Sequence, residues 1–490
     1  MKGTFMPGQR GAQRLKLRAQ QRGVASLVVV MLLLFVVSLS AAYASRNLIF
    51  EQKTSANQAR STLAFEAAEA GVEWTLAQLN SGQVSTSCAN STTAGSFQQR
   101  YLAISNTGMV SPQARSTSTA GNWWPTCVFN NSGWTCACPA GTAGDPSPLP
   151  TGTGPFPAFR VWLSTPEPTP AITSPWTAFV PPAPGLLAVS SSGCTHLAAG
   201  GGGDCLSFQP IGEMGEGLAT VRVLLALRSG LTTPPAAAIT ARLGLEPDTT
   251  PGRPKLRAVN TDLSAGGFTV NTGAAIGALQ KAQIAADTVP GTPSPKSFAE
   301  SDVKLAALST VAAGAGALAE GERMFVSTFG MKRNTYLQQP GLRIRAAETI
   351  SDLLEANPRR VIWVNGDLTL DADVGTAADP VLLIVNGDKL TLSAGITITG
   401  MVYVRGTEAA AATPCTPTTC VATVALPNAT TRINGALVTE GVLKTTYAGT
   451  PAATSELVVT YQRSVLDLIR LNYGSWVRVG GGWRDFKGTP

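Results

Sequence analysis

The chain has 490 residues, of which 44% are hydrophobic and only 14% are charged, and it contains 50 glycines and 33 prolines. A composition this rich in turn residues and poor in charge favours an exported, β-rich protein over a cytosolic helical enzyme. The formal net charge is +7, but six basic residues lie before residue 24; with no basic stripe elsewhere, we predict no direct nucleic-acid site.

A basic leader at residues 1–23 and an uncharged apolar segment at residues 24–45 are the first predicted elements. The basic residues of the leader are Lys2, Arg10, Arg14, Lys16, Arg18 and Arg22, and it has no acid. The positive-inside rule places such a leader on the cytoplasmic side. At about 1.5 Å per helical residue, the apolar segment covers roughly the 30 Å of a bilayer core. We predict a single membrane span; a secretory signal peptide cleaved near Ala44 is the alternative.

The next segment, residues 46–82, is predicted to continue the same helix outside the membrane. It consists of helix-forming residues with an intermittent apolar face, and no proline occurs between Arg46 and Leu79. The membrane half and the soluble half should therefore form one rod.

Two motifs occur along this part of the sequence. Arg22-Gly23-Val24-Ala25-Ser26-Leu27 joins the leader to the apolar run, and Phe65-Glu66-Ala67-Ala68-Glu69-Ala70-Gly71-Val72-Glu73 follows about forty residues later. This combination resembles type IV prepilins, and more closely the N-terminal region of PilX-like minor pilins. The resemblance implies that a prepilin peptidase cuts between Gly23 and Val24 and that Val24 becomes a methylated N-terminus. It also implies a helix that packs among other pilin helices, with assembly residues Val28, Phe65, Glu66, Glu69 and Gly71.

Val28 departs from the major-pilin pattern. It is the fifth residue after the predicted cut, where the resemblance implies a glutamate that pairs with the terminal amine of a neighbouring subunit. An ammonium group buried in an apolar bundle is costly without an opposite charge, and valine supplies none. We hypothesise that this subunit sits at or near the pilus tip; a relaxed position in a rare subunit is the alternative.

Eight cysteines follow the apolar segment, which suits an oxidising periplasm. Cys194 with Cys205, and Cys415 with Cys420, bracket short loops and are predicted to form local disulfides. Three pairings remain open for the other four cysteines, Cys88, Cys127, Cys136 and Cys138. Because His196 is the only histidine and the cysteine spacing matches no standard zinc knuckle, we predict no metal and no cofactor.

Residues 83–234 are predicted to form a pilin-like β-region. The short alternating runs at residues 159–163 and 219–227 are typical of strands. The second run should complete a sheet packed on the soluble helix, so that this unit ends near Gly230. Tryptophans clustered among the cysteines favour a small disulfide-pinned core over a binding face.

Residues 235–490 are predicted to form a β-solenoid-like domain. Residues 361–370 and 381–392 repeat the same unit, including Asn365-Gly366-Asp367 and Asn386-Gly387-Asp388. A period near 20 residues is typical of stacked β-coils, here expected to be right-handed; hairpins with Asn-Gly turns are the alternative. We also predict a helical insertion over 298–318, a helix over 464–471, and a C-terminal segment that caps the last coil.

These elements predict an α+β protein that is not an enzyme. The recurring Asp367 and Asp388 suit turn geometry better than catalysis. We expect a minor pilin that helps to start type IV pilus assembly. Its expected partners are other minor pilins, the major pilin, a tip adhesin and the prepilin peptidase. It should cross the inner membrane once, with a periplasmic C-terminal part, and then enter the pilus. The alternative is a membrane-anchored surface β-helix that binds or cleaves polysaccharide.

Overall fold

The computed structural model describes residues 12–81, 83–91, 95–105, 107–113, 124–130, 132–140, 153–166, 184–198, 217–253, 255–262, 266–289, 292–293, 297–309, 322–346, 361–393, 395–406, 420–447 and 455–485. Within these residues the protein is a long N-terminal helix followed by a strand-rich body, which confirms the predicted α+β class.

The helix, α1, runs without interruption from Ala12 to Leu79, a length of 68 residues. Alanine, leucine and glutamate dominate its second half, and these residues have high helix propensity. It therefore extends from the leader through the apolar segment into the soluble part as one element, the rod that was predicted.

The region after α1 begins with the short helix α2 (Phe97–Tyr101), followed by β1 (Leu102–Ile104), β2 (Val110–Pro112), β3 (Thr126–Asn130), β4 (Gly133–Ala137), β5 (Thr153–Ser164), β6 (Leu186–Ala198) and β7 (Leu218–Ser229). Strands β7, β6, β5, β3 and β4 are antiparallel neighbours in that order. Val221, Val223 and Leu225 alternate along β7 and are buried, as expected for a strand with one face on a core. We call this sheet the helix-packed sheet, because α1 lies on it.

The strands of the distal body are β8 (Ile239–Ala241), β9 (Gly244–Glu246), β10 (Leu256–Val259), β11 (Val270–Thr272), β12 (Ile284–Val289), β13 (Thr292–Pro293), β14 (Phe298–Ala299), β15 (Leu342–Ala346), β16 (Val361–Asn365), β17 (Leu368–Leu370), β18 (Val381–Asn386), β19 (Lys389–Leu392), β20 (Thr397–Val404), β21 (Val421–Leu426), β22 (Thr431–Thr439), β23 (Val442–Tyr447) and β24 (Leu457–Tyr461). Its helices are α3 (Ala278–Ala282), α4 (Val303–Ala306), α5 (Glu322–Phe329), α6 (Arg333–Leu337) and α7 (Arg463–Asn472). The predicted helical insertion is thus wrong at its start, where Phe298 lies in β14; residues 310–318 of it lie outside the described residues.

Two largely parallel sheets make up this body, which we call the parallel stack. One sheet contains β10, β24, β22, β20, β18, β16 and β15 in that order, and the other contains β17, β19, β21, β23 and β9. Val361 of β16 is opposite Leu382 of β18, and Leu368 of β17 is opposite Leu390 of β19. The Asn-Gly dipeptides therefore join strands of different sheets and do not close hairpins. The right-handed solenoid itself stays a prediction.

The corner at Asn365-Gly366 is tied to the corner at Asn386-Gly387 by side chains. Gly366 has φ +90°, a left-handed conformation that glycine adopts without strain. The carboxylate of Asp367 accepts hydrogen bonds from the backbone N–H groups of Asp388 and Lys389, both at 2.9 Å. This aspartate therefore joins two successive corners through their backbone, whereas we predicted that it would stabilise its own turn.

The C-terminal strand β25 (Gly474–Arg484) corrects the predicted domain division. It does not cap the stack but pairs antiparallel with β7, with Trp476 opposite Leu227 and Trp483 opposite Val223. The physical reason is burial: Trp476 is 1% exposed in the core between α1 and the helix-packed sheet. The helix-packed sheet thus combines residues before 230 with residues after 473, and β7 lies inside it rather than at its edge.

Candidate functional site: the N-terminal helix and its sheet

From Ala25 to Phe50, α1 is exposed and largely apolar. The other described residues leave the side chains from Leu27 to Phe50 exposed, and Phe35 is 63% exposed. Among the described residues, α1 is the one helix long and apolar enough to cross a membrane. Exposed apolar surface of this extent marks a lipid or protein contact. Gly23 and Val24, the predicted processing residues, lie within the backbone of this helix, and Val28 is 54% exposed.

The motif at residues 65–73 divides between two sides of α1. Ala67, Ala68 and Gly71 are buried on the side that faces the sheet, whereas Glu66 and Glu69 are exposed. Phe65 is half-buried at the boundary and packs edge-on against Trp483, with ring centroids 6.3 Å apart. The structure therefore brings the small residues of the motif to the sheet and leaves its acids to solvent.

Glycines let α1 approach the sheet very closely. A Cβ on Gly193 of β6 would collide with the Ala64 carbonyl oxygen and the Ala68 amide nitrogen. A Cβ on Gly71 would lie 2.8 Å from the Phe159 ring. Because backbones meet at van der Waals distance here, neither position has space for a side chain. Sequence reasoning selected Gly71 through the motif but had no signal for Gly193.

Charges on α1 are also divided between sides. Arg46, Lys53, Glu66 and Glu69 are exposed, and no described residue forms an ion pair with any of them. Glu73 differs, because Arg478 of β25 donates a hydrogen bond to its carboxylate at 2.5 Å. These four charges, together with the equally exposed Glu51, thus remain available to another molecule.

Two disulfides hold the region beside α1. Cys88 bonds Cys138 and Cys127 bonds Cys136, which selects one of the three pairings left open by the sequence. Cys194 and Cys420 are also disulfide-bonded. Their predicted partners, Cys205 and Cys415, lie outside the described residues, so those two pairings stay predictions.

A cavity of about 270 Å³ lies between α1 and the β3–β4 hairpin. Trp74, Trp134 and Phe159 line it together with Cys88 and Cys136. Trp134 is 42% exposed, and its ring centroid is 4.9 Å from that of Phe159. The aromatic cluster therefore lies partly in the core and partly at the surface, whereas the sequence predicts that it forms only a small core.

The two disulfides should differ in their effect on stability. Cross-link entropy grows with loop length, and the sequence separations are 50 for Cys88–Cys138 and 9 for Cys127–Cys136. We expect C88S/C138S to lower the free energy of unfolding by about 4 kcal/mol and C127S/C136S by about 2.6 kcal/mol. Urea denaturation of the two double variants measures the difference; an equal loss would show that loop length does not govern these bonds.

A junction that the sequence analysis missed joins α1, β25 and the parallel stack. The Asn80 side chain accepts a hydrogen bond from the Trp476 N–H at 2.9 Å and donates one to the Trp476 carbonyl at 3.0 Å. Arg343 of the stack donates to the Asn80 carbonyl at 2.9 Å. Tyr336 donates to the Gly230 carbonyl at 2.8 Å, and burial raises its pKa well above the usual value. The end of α1 is therefore fixed to both parts of the body.

Among the described residues, no group of three or more His, Cys, Asp or Glu side chains is placed to hold a metal ion.

Comparison with known proteins identifies the first part of the chain. Residues 22–73 match the family described as PilX N-terminal, so this segment is type IV pilin-like. The crystal structure of the competence-associated pilin ComZ from Thermus thermophilus has a TM-score of 0.18 and 11% sequence identity, covering 87% of this chain and 97% of that one. A TM-score this low does not show that the two proteins share a fold. Comparison with curated proteins finds no match.

Proposed function

We propose that this protein is a non-enzymatic minor pilin that enters a type IV pilus and helps to start its assembly. The observation that carries the proposal is α1, which is exposed and apolar from Leu27 to Phe50 and packed on a sheet from Ala64 onward. Such a helix can lie in a membrane before assembly and among other apolar helices afterwards. The match of residues 22–73 to the PilX N-terminal family supports the same function.

In this proposal the inner membrane holds the unassembled subunit through one span, with the body in the periplasm. The six leader cations support this orientation. A prepilin peptidase then removes residues 1–23, and Val24 becomes the methylated N-terminus. In the fibre, the parallel stack projects outward and contacts partners or surfaces, through which the pilus performs adhesion or twitching.

The proposed position is at or near the tip, beside other minor pilins and an adhesin. Val28 supports it, because a subunit with nothing above it has no need to supply a carboxylate to a neighbour's terminal amine. A terminal subunit also suits a large body, because the 411 residues after α1 would crowd a densely packed fibre wall.

Processing at Gly23 tests the proposal most directly. We expect the protein from membranes to begin at Val24 when the prepilin peptidase is present and at Met1 when it is absent. Gly23→Val should abolish the cut, because a β-branched residue replaces the small residue at the cleavage point, whereas Gly11→Val in the same leader should leave it intact. Intact-mass measurement of the N-terminal peptide reports each result. An uncut wild-type chain, or a cut near Ala44, would reject the pilin pathway.

A further inference from the structure

The cavity between α1 and the β3–β4 hairpin lies at the edge of the helix-packed sheet. Helix α1 packs over β5, β6 and β7, whereas β4 is the outermost described strand beyond β3. On these two strands Phe129 is opposite Trp134, and the side chains of opposite residues share one side of a sheet. That side faces α1, because Trp134 lines the cavity together with Trp74 of the helix. The edge of the sheet therefore presents aromatic rings beside α1.

Three aromatic rings line the cavity. Phe159 of β5 is 1% exposed, and its ring centroid is 5.7 Å from that of Trp74 and 4.9 Å from that of Trp134. Trp134 is 42% exposed, so part of its indole meets solvent. The face of an indole is the negative part of its quadrupole and attracts C–H groups and cations. The cavity thus offers an aromatic surface to a ligand that arrives from solvent.

Covalent bonds hold the walls of the cavity in place. Cys88 and Cys136 line it, and each is bonded to a fully buried cysteine, Cys138 and Cys127 respectively. Arg100 adds a hydrogen bond to the Cys138 carbonyl at 2.7 Å. A site that is already held in its bound shape loses less conformational freedom when a ligand enters. The cavity is therefore preorganised for binding.

The size and polarity of the cavity favour an uncharged ligand of one ring. Its volume of about 270 Å³ is below the range of about 300–1,000 Å³ that holds drug-sized ligands. Among the described residues that line it, none carries a charge. Ser87 brings a hydroxyl, which lies 2.9 Å from that of Ser85; a hydroxyl has one donor and two acceptor sites, so this pair can bond a further group. A ring with one apolar face and hydroxyls at its edge fits this lining.

Two other kinds of occupant fit the cavity less well. A quaternary ammonium ion is attracted to aromatic faces, but no carboxylate is among the described lining residues to offset the loss of its hydration. Glu73, next to Trp74 in the sequence, is bonded to Arg478. An aliphatic side chain of another protein would fill the volume, but it would take water from the Ser87 hydroxyl without replacing its hydrogen bonds. The lining therefore favours a hydroxylated ring.

We propose that the cavity binds one pyranose ring of an uncharged saccharide, with a C–H face of the sugar on Trp134 and its hydroxyls directed to Ser87 and to solvent. The inference goes beyond the proposed function, which assigns contacts with surfaces to the parallel stack. It gives the helix-packed sheet a ligand site of its own, and it does not depend on entry into a fibre.

Sugar binding by the full-length protein tests the proposal. The protein is kept in a detergent whose headgroup contains neither sugar nor choline, and the methyl glycosides of glucose, galactose and N-acetylglucosamine are titrated by saturation-transfer NMR. We expect at least one glycoside to bind with a Kd on the order of 1 mM, the strength expected of a ligand of about a dozen non-hydrogen atoms. Sorbitol, an open-chain alcohol with hydroxyls like those of glucose but no ring face, should not bind.

Three variants of the full-length chain locate the site. Trp134→Ala should weaken binding at least about tenfold, because it removes the aromatic surface under the sugar. Ala70→Leu should weaken it to the same extent by filling the cavity from α1; it leaves every ring in place and so keeps the test if Trp134→Ala fails to fold. Trp483→Ala is the matched control, because Trp483 is 44% exposed and packs against Phe65 of α1 at the opposite edge of the sheet. It should bind the sugar as wild type does.

Unchanged affinity in either folded cavity variant would overturn the proposal. Failure of all three glycosides to bind would also overturn it, as would equal binding of sorbitol. Binding of tetramethylammonium without any glycoside would overturn it and assign the cavity to cations. An uncut wild-type precursor in membranes would reject the proposed function instead and leave the sugar site standing, because the two are measured separately.

Discussion

Gly193→Val is expected to detach α1 from the helix-packed sheet and to lower the free energy of unfolding by at least about 3 kcal/mol. The added Cβ alone would collide with backbone atoms of Ala64 and Ala68. Backbone of a continuous helix cannot move aside as a flexible side chain would, so the helix must shift as a whole. The shift would open the contacts of Gly71 and Val72, which lie one to two turns farther along.

The measurement is urea denaturation of the full-length protein in detergent, combined with hydrogen exchange of residues 60–79. Gly480→Val is the matched control, because Gly480 of β25 has no atom within 4 Å of an added Cβ. We expect Gly480→Val to change the free energy of unfolding by no more than about 0.5 kcal/mol. Similar losses for both variants would show that the cost comes from replacing a strand glycine rather than from the helix contact.

Trp476→Ala is expected to lower the free energy of unfolding by about 3–5 kcal/mol, the usual cost of truncating a buried tryptophan. The side chain is 1% exposed, and its backbone holds Asn80 at the end of α1 through two hydrogen bonds. Removing the indole leaves a cavity beneath this junction. We therefore also expect faster hydrogen exchange at residues 76–80.

Trp483→Ala provides the control within the same strand, because Trp483 is 44% exposed. We expect this substitution to lower the free energy of unfolding by about 1 kcal/mol or less. Trp476→Phe separates packing from hydrogen bonding. The Trp476 Nε1 has no hydrogen-bond partner among the described residues, so phenylalanine should retain most of the stability. An equal effect of Ala at 476 and 483 would contradict the burial of β25 in the sheet.

The elements that sequence reasoning found are those with local signals. The rod from the leader to Leu79 follows from helix propensity and the absence of proline, which act between neighbouring residues. The repeat at Asn365-Gly366 and Asn386-Gly387 is visible because both copies lie within about one period of each other. Gly71 was selected because it belongs to a recognisable motif.

The missed features depend on contacts between residues far apart in the chain. Gly474 of β25 is paired with Ser229 of β7, and no local pattern specifies a partner so distant. Gly193 looks like any strand glycine until α1 is placed on it. One missed feature had a usable signal: Asn130 and Gly133 bound a short turn between alternating runs, a hairpin pattern. Pairing outward from that turn sets Cys127 opposite Cys136, which selects the observed disulfide.

The pairing of Ser229 with Gly474 makes the parallel stack an insertion into a smaller pilin-like unit. The chain leaves the sheet at the end of β7 and returns at the start of β25, with these two residues directly opposite each other. Adjacent entry and exit points of this kind are what allow one domain to be inserted into another without breaking either core. The stack could therefore be replaced by a tight turn between β7 and β25 without changing α1 or the rest of the helix-packed sheet.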